Sequence, residues 1–391
     1  MQPLAHITIV SLEQAVAAPF ASRQLADLGA RVIKIERPGT GDFARGYDAT
    51  VRGMSSHFVW INRSKESLTL NLKLETGKII LEKLLAQADV FLHNLAPGAV
   101  ARLGFDQQRL RVAYPGLIIC HISGYGATGP YRDKKAYDML IQAEAGLLAI
   151  TGTEESPAKA GIPVADIAAG VVAFSAIQTA LIARGYTGEG TVIEISMLEA
   201  LAEWMGFPSY YTMGGTAPGR HGAKHAAIAP YGPFISGDGQ VIMLGIQNER
   251  EWRLFCENVL EQPDLALDPR FNNNSLRVAN RPALRKIISD LFAQLTKEQA
   301  LARLDHSKIA NAEMRTVPSF LDHPQLLARQ RWQQVDSPVG PIPALRPAAT
   351  FENVEPRLDP IPALGQHTEA ILTQLGYDDE QTSQLRKSGV I

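Results

Sequence analysis

Cysteine is almost missing from this 391-residue chain: only Cys120 and Cys256 occur, far apart in sequence. That rules out a disulfide framework and a cysteine zinc site. An excess of either charge is missing too, with 38 Lys and Arg against 40 Asp and Glu. No electrostatic footprint for nucleic acid or an anionic membrane is therefore expected. A G-x-S-x-G elbow is absent, so a serine hydrolase would lack its nucleophile. His221 and His225 share an i, i+4 spacing but have neither an H-E-x-x-H glutamate nor an apolar helix around them, and no metal is expected. The start, Met-Gln-Pro-Leu-Ala-His, lacks a basic segment leading into a long apolar run, so a cytoplasmic location is expected rather than secretion. Internal repeats and low-complexity tracts are also missing.

What is present is the composition of an ordinary globular protein, 46% hydrophobic and 20% charged, with length enough for two domains. The first half alternates strand and helix signals. Residues 7–12, 31–36, 67–72, 90–95 and 117–123 read as strands, with helices over 19–29 and 76–88 between them. This alternation predicts an α/β fold with an open parallel sheet. A strand over 191–196 then runs into a helix over 197–213. Residues 214–230, rich in Gly, His, Lys and Ala, read as a linker. A hairpin turning at Ser236-Gly-Asp-Gly239 opens a smaller domain over 231–325, with helices near 249–261, 282–295 and 297–304. The tail from Pro338 is Pro-rich and reads as extended, ending in a helix near 368–375. The large domain is assigned to 1–213 plus 326–391.

One carboxylate stands out. Asp166 is the only ionisable side chain between Lys159 and Arg184, and an apolar run, 167–183, follows it. That run approaches membrane-spanning length but is Ala-rich and carries Ser175, Gln178 and Thr179, so it reads as a buried core helix. The bland reading of Asp166 is a helix N-cap, with Pro163 just upstream. A capping carboxylate stays ionised, and an ionised carboxylate in a dry pocket is a competent nucleophile toward an activated acyl group. The two readings are compatible.

Gly124-Tyr-Gly126-Ala-Thr-Gly129 follows a strand and has G-x-G-x-x-G spacing. Pro130 and charged residues follow it instead of an apolar helix, so a pocket-lining loop is expected rather than a dinucleotide site. His121, on a strand, is as readily a hydrogen-bonded core residue as a functional one.

Taken jointly, the ordered motifs say more. Ile33-Lys-Ile-Glu36-Arg37-Pro-Gly-Thr-Gly41-Asp42, Asn62-Arg-Ser-Lys65, Leu70-Asn-Leu-Lys73, Asp89-Val-Phe-Leu-His-Asn94-Leu-Ala-Pro-Gly98, Arg102-Leu-Gly, Ser123 to Pro130, Ala136-Tyr137-Asp138, Asp166, Ala229-Pro-Tyr231, Asp238-Gly239 and Leu364-Gly-Gln-His-Thr368 span nearly the whole chain. The pattern closely resembles the class III CoA-transferases, the superfamily of formyl-CoA and carnitine CoA-transferases and α-methylacyl-CoA racemases. The resemblance implies a Rossmann-like large domain formed by both chain ends, a smaller inserted α+β domain and an interlocked homodimer. It places the catalytic aspartate at Asp166 and makes coenzyme A a substrate rather than a permanently bound cofactor. By the same resemblance Val16, Ala17, Arg37, Leu70, Lys73, Asn94, Leu95, Ala96, Arg102, Lys135 and Tyr137 bind CoA.

In this reading Asp166 attacks an acyl-CoA, and CoA moves through a mixed anhydride and an aspartyl-CoA thioester to an acceptor acid. An aspartate of ordinary pKa, ~3.9, needs no base for this. Racemisation is the rival within the superfamily. It needs a base where this chain has Tyr137, and tyrosine is a poor base near neutral pH. A non-catalytic CoA-binding protein is the rival from another class. Gly41-Asp-Phe-Ala-Arg45-Gly-Tyr47 and Gly219-Arg-His221-Gly-Ala-Lys-His225 resemble the branch that uses succinyl-CoA and C4–C5 dicarboxylates such as itaconate, mesaconate, malate or citramalate. Arg45, His221 and His225 are the expected holders of the second carboxylate.

Overall fold

A computed structural model describes residues 2–391. The chain divides into two compact units. One comprises residues 1–146, 160–206 and 325–391, and the other residues 147–159 and 207–324. The sequence assignment runs the large domain on to 213, whereas the helix Gly206–Met213 goes mostly with the second unit. The segment 147–159 also leaves the first unit, which periodicity gave no sign of.

The first unit is built on six parallel strands: β1 (Thr8–Leu12), β2 (Arg31–Glu36), β3 (Lys65–Thr69), β4 (Val90–His93), β5 (Ile118–Ser123) and β6 (Val192–Ser196), in the order β3-β2-β1-β4-β5-β6. Alternate residues serve opposite faces, as the period of two requires. Val90 and Leu92 enter one apolar layer, while Phe91 enters the other. The first layer is covered by α1 (Ala17–Asp27) and by the long helix Val164–Thr187. The second is closed by Glu75–Leu85 and by two C-terminal helices, Thr368–Gln374 and Asp379–Lys387. The tail read as extended holds a hairpin, Trp332–Val335 with Ile342–Leu345, before the last helices. Its proline content hid the pairing.

The strand order reverses between β1 and β4, which opens a crevice at their C-terminal ends. Asn94 spans it. Its Oδ1 accepts the Gln14 N–H at 2.8 Å and its Nδ2 donates to the Gln14 carbonyl at 2.8 Å. Beneath the β1–α1 loop lies a fully buried ionic cluster. Lys34 Nζ is 2.5 Å from Asp42 and 3.4 Å from Glu13, and Lys65 Nζ is 2.7 Å from Glu13. Burial opposes the charges, but Lys65 and Lys34 hold Glu13 below the usual carboxylate range. Asp42 and Glu13 likewise hold Lys34 above its ordinary value against burial. Burial takes Lys65 down to about 8. Asp42 Oδ1 also accepts the Ala15 N–H at 2.9 Å, and Ala15 sits at φ 61°. A non-glycine residue pays for that backbone with strain, so the cluster is what holds the loop in place.

The second unit pairs Tyr231–Ile235, Val241–Gly245 and Ala310–Glu313 as an antiparallel sheet. Phe234, Trp252, Phe271, Ile288 and Phe292 fill its core. The hairpin turns where the sequence placed it, with Gly239 at φ 77° and Ser236 Oγ donating to Asp238 at 2.5 Å.

Replacing Lys34 with Met would strand Asp42 as a buried charge and leave Glu13 with Lys65 alone, and we expect about 3–5 kcal/mol of destabilisation. Urea unfolding measures it; a loss below ~1 kcal/mol would show that the cluster is not what holds the loop.

Candidate active site

The helix that carries Asp166, designated α3 (Val164–Thr187), follows α2 (Asp138–Glu144). Asp166 is its third residue, not its cap; the cap position is Pro163, which offers no side-chain acceptor. Capping comes from another helix. Asp138 Oδ1 accepts the Ala165 N–H at 2.8 Å and the Asp166 N–H at 3.4 Å. Its Oδ2 receives Gln142 Nε2 at 2.6 Å, and Gln142 Oε1 accepts the Ala160 N–H at 2.9 Å. The N-cap reading of Asp166 is thus corrected: a second acid does that work and leaves the Asp166 carboxylate available.

That carboxylate faces the start of α1, where the Ala17 N–H favours its charged form. Val16, at the cap position of α1, has no side-chain oxygen, so the first-turn N–H groups of α1 have no side-chain acceptor of their own. Gly170 allows the approach. A Cβ at that position would lie 2.8 Å from the Ala17 carbonyl oxygen and 3.0 Å from the Phe20 ring.

The charge on Asp166 is contested. Burial raises its pKa, the neighbouring Asp138 raises it further, and the Ala17 N–H pulls it back; the outcome is about 7. The expectation of an ordinary, fully ionised aspartate is overturned, because the helix end that would have favoured the anion already serves Asp138. Tyr47 joins this field. Burial raises its pKa, and the charges of Asp42, Asp166 and Tyr137 add to that.

The other candidates come from loops that follow the strands. Val16 and Ala17 follow β1 and are buried. Arg37 follows β2, is exposed and stacks on Phe43 at 4.4 Å. Leu70 and Lys73 follow β3. Leu70 is only 2% exposed and belongs to the core, so its side chain is not a ligand contact, whereas Lys73 is exposed. Asn94, Leu95 and Ala96 follow β4, and exposed Arg102 comes just beyond them, with Nη1 3.4 Å from the Pro97 carbonyl. Lys135 and Tyr137 are exposed in the segment after β5. A parallel sheet thus delivers every one of these loops to the same edge, the one at which its crevice opens. The glycine loop supports this edge: a Cβ on Gly124 would meet Ala136 at 2.2 Å, just before Tyr137 and Asp138. His121 stacks on His93 at 4.6 Å, and the Leu95 backbone favours its protonated form.

Arg45 does not stand open for a substrate. It forms a bidentate pair with Glu36 at 2.8 and 2.7 Å and lies 3.7 Å over the Phe58 ring. Burial works against the Glu36 charge, yet Arg45 and Lys34 bring its pKa down to about 2. His221 and His225 belong to the second unit. His225 accepts the Ala227 N–H at 3.1 Å, and burial, Arg281 and His221 lower its pKa, so it is a neutral ring near pH 7 rather than a cation. Sequence reasoning missed Asp138 as the cap of α3 and Gly170 as the contact point. Glycine one turn after a lone acid was the available signal.

A sequence model of CoA-transferase family III matches residues 4–368. The chain belongs to CoA-transferase family III. Over 397 residues it is 34% identical to the succinyl-CoA:glutarate CoA-transferase of Mus musculus, covering 100% of this chain and 91% of the relative. It is 31% identical to the succinyl-CoA–D-citramalate CoA-transferase of Chloroflexus aurantiacus, covering 100% and 98% of the two chains. The crystal structure of a CAIB/BAIF family protein from Brucella suis superposes with a TM-score of 0.83 at 33% identity, over 96% of this chain and 99% of that one. The protein is a CoA-transferase whose substrates include CoA thioesters.

The transferase carries a testable cost at Asp166. Between pH 4 and 7 the folded state holds this proton more tightly than the unfolded chain, so stability falls as pH rises through that window and is level above it. Asp166→Asn removes the penalty. We expect the variant to be more stable by about 1–3 kcal/mol at pH 8 and nearly unchanged at pH 4, by denaturant unfolding at both values.

Proposed function

We propose that this transferase moves CoA from succinyl-CoA to a C4–C5 dicarboxylic acid, with Asp166 as the nucleophile. The observation that carries the reading is the buried Asp166 carboxylate at the start of its helix, beside an uncapped α1 whose Ala17 N–H favours its charge. In the first step a carboxylate oxygen attacks the thioester carbonyl, the C–S bond breaks, and an aspartyl–succinyl anhydride forms with release of CoA thiolate. The thiolate then attacks the Asp166 carbonyl carbon, succinate leaves, and an aspartyl-CoA thioester remains. The acceptor carboxylate attacks that thioester, giving a second anhydride and thiolate. Attack of the thiolate on the acceptor carbon forms the new acyl-CoA and restores Asp166. Each step exchanges one acyl bond for another, so no proton is consumed overall. Every tetrahedral intermediate places negative charge on a former carbonyl oxygen, and first-turn N–H groups of α1 are suited to receive it.

Names among the relatives support the substrate class: glutarate and D-citramalate acceptors, with succinyl-CoA as donor. Asn94, Leu95, Ala96, Arg37, Arg102, Lys73 and Lys135 are proposed to hold CoA; the four exposed cations suit its phosphates. The homodimer is likewise a proposal. It is supported by an open apolar groove of about 810 Å³ between Phe20, Trp60, Phe174 and Phe351. Ile182 and Tyr186, 64% and 88% exposed on α3, support it too and depart from the fully buried helix read from sequence.

Incubation with succinyl-CoA and hydroxylamine should leave a hydroxamate on Asp166, read by peptide mass analysis; modification elsewhere or nowhere refutes the nucleophile assignment. The attacking form is the anion, so kcat/KM should rise with pH through about 7. In Asp138→Asn the like charge is gone, and the midpoint should move down by roughly one unit. An unmoved midpoint would mean that another group titrates.

A further inference from the structure

Gln142 holds two of the approaches to Asp166 at once. It is fully buried on α2, a costly place for an amide unless both of its ends are bonded. Both are. Nε2 donates to Asp138 Oδ2 at 2.6 Å, one turn back on the same helix, and Oε1 accepts the Ala160 N–H at 2.9 Å. Ala160 begins the short lead-in that reaches α3 through Pro163. The other oxygen of Asp138 receives the Ala165 and Asp166 N–H groups. A single amide thus fixes the chain that enters α3 and the acid that closes its first turn.

Asp138 would not stay there unaided. It is the first residue of α2 and only half-buried, so water and the first-turn N–H groups of its own helix compete for the carboxylate. The bond from Gln142 holds one oxygen on the buried side and leaves the other turned to α3. How close that like charge lies matters, because it is one cause of the raised Asp166 pKa.

Other charged groups on the surrounding elements do not supply this control. Burial keeps Tyr47 uncharged near pH 7, and Tyr137 is exposed. Beneath the β1–α1 loop Glu13 is paired with Lys65 and Asp42 with Lys34, and on α1 Arg23 is paired with Asp27. On α2 itself Glu144 is paired with Lys134. Glu199 and Glu203, on the neighbouring helix Met197–Trp204, are exposed. His121 and Glu194 alternate with Cys120 and Ile195 of the layer that α3 covers, so they face the other side of the sheet.

We propose that Gln142 is a positioning residue for CoA transfer: it touches no reacting atom, and by holding Asp138 and Ala160 it keeps the acid beside Asp166 turned onto α3. The proposal rests on the reading of Asp166 as the nucleophile, but one arm of its test does not need turnover.

Gln142→Met fills similar space and removes both bonds. Two pH titrations are read on the full-length enzyme. One is kcat/KM with succinyl-CoA and glutarate; the other is the side-chain carboxyl carbon signal of Asp166 in carbon-13-labelled enzyme without substrate, assigned by its loss in Asp166→Asn. In both, the midpoint of about 7 should move down by roughly half a unit. Combined with Asp138→Asn it should move no further than Asp138→Asn moves it alone, to within about 0.2 units, since the amide acts through that acid. Gln142→Glu keeps an acceptor for the Ala160 N–H and adds acid behind Asp138, so its midpoint should stay or rise. A carboxyl midpoint that Gln142→Met leaves unmoved overturns the inference, and so do shifts that add in the double variant. If Gln142→Met does not fold, Gln142→Glu decides, and a fall in its midpoint overturns the inference. A carboxyl signal that shifts as expected beside an unmoved kcat/KM profile upholds the grip on Asp138 and sinks Asp166 as the nucleophile instead.

Discussion

The chemistry at this site depends on a buried ionic cluster that no substrate touches. Glu13, Lys34, Asp42 and Lys65 lie out of solvent beneath the β1–α1 loop, and their charges balance. A buried cluster of this kind adds little net stability over an apolar core of similar shape. What it adds here is geometry. Asp42 joins Lys34 on one oxygen and the Ala15 and Ala44 N–H groups, each at 2.9 Å, on the other. Ala15 is thereby kept in a left-handed conformation that it would leave if the tether were cut. Two residues on, the Ala17 N–H favours the charged form of Asp166. A displacement of a few tenths of an ångström at Ala15 would reach the nucleophile directly, since α1 and α3 touch at Gly170 with no room for a methyl group.

The second determinant is a division of labour between two aspartates. Had Asp166 capped its own helix, the N–H donors and the dipole would have held it strongly ionised and correspondingly unreactive. Asp138 takes those donors instead and adds a like charge. The resulting carboxyl group, with a pKa of about 7, is more basic and so a better nucleophile when ionised, at the cost of a mixed population near neutral pH. In the proposed cycle a negative charge passes from Asp166 to thiolate to the departing donor acid. A group poised near neutrality exchanges roles with such partners more easily than one whose charge is locked.

Much of this was legible in the sequence, and the parts that were not share a cause. The strand Arg31–Glu36 was readable to the residue because a short β-branched run, Val32, Ile33 and Ile35, follows the stop at Gly29. The βα alternation gave the parallel sheet, and a parallel sheet gathers its loops at one edge. The hairpin Trp332–Val335 with Ile342–Leu345 was hidden by prolines that occupy an edge, where no ladder donor is lost. The run 197–213 read as one helix, yet it breaks at Met205, where Gly206 and Pro208 begin a second one. Arg45 looked available because its partner Glu36 lies nine residues away across a turn. Lys34 within Ile33-Lys-Ile35 was the stronger clue: a lysine on a fully buried strand must be paired, and its partners mark the part of the loop that matters.

The acyl exchange at Asp166 does not by itself discriminate among acids, since every donor and acceptor presents the same carboxylate to it. Selectivity must come from groups that bind the far end of the acid. A methylene more or less in an apolar wall gives only about 10–200-fold discrimination. A fixed charge gives more, because an acid lacking the second carboxylate would leave that charge unpaired.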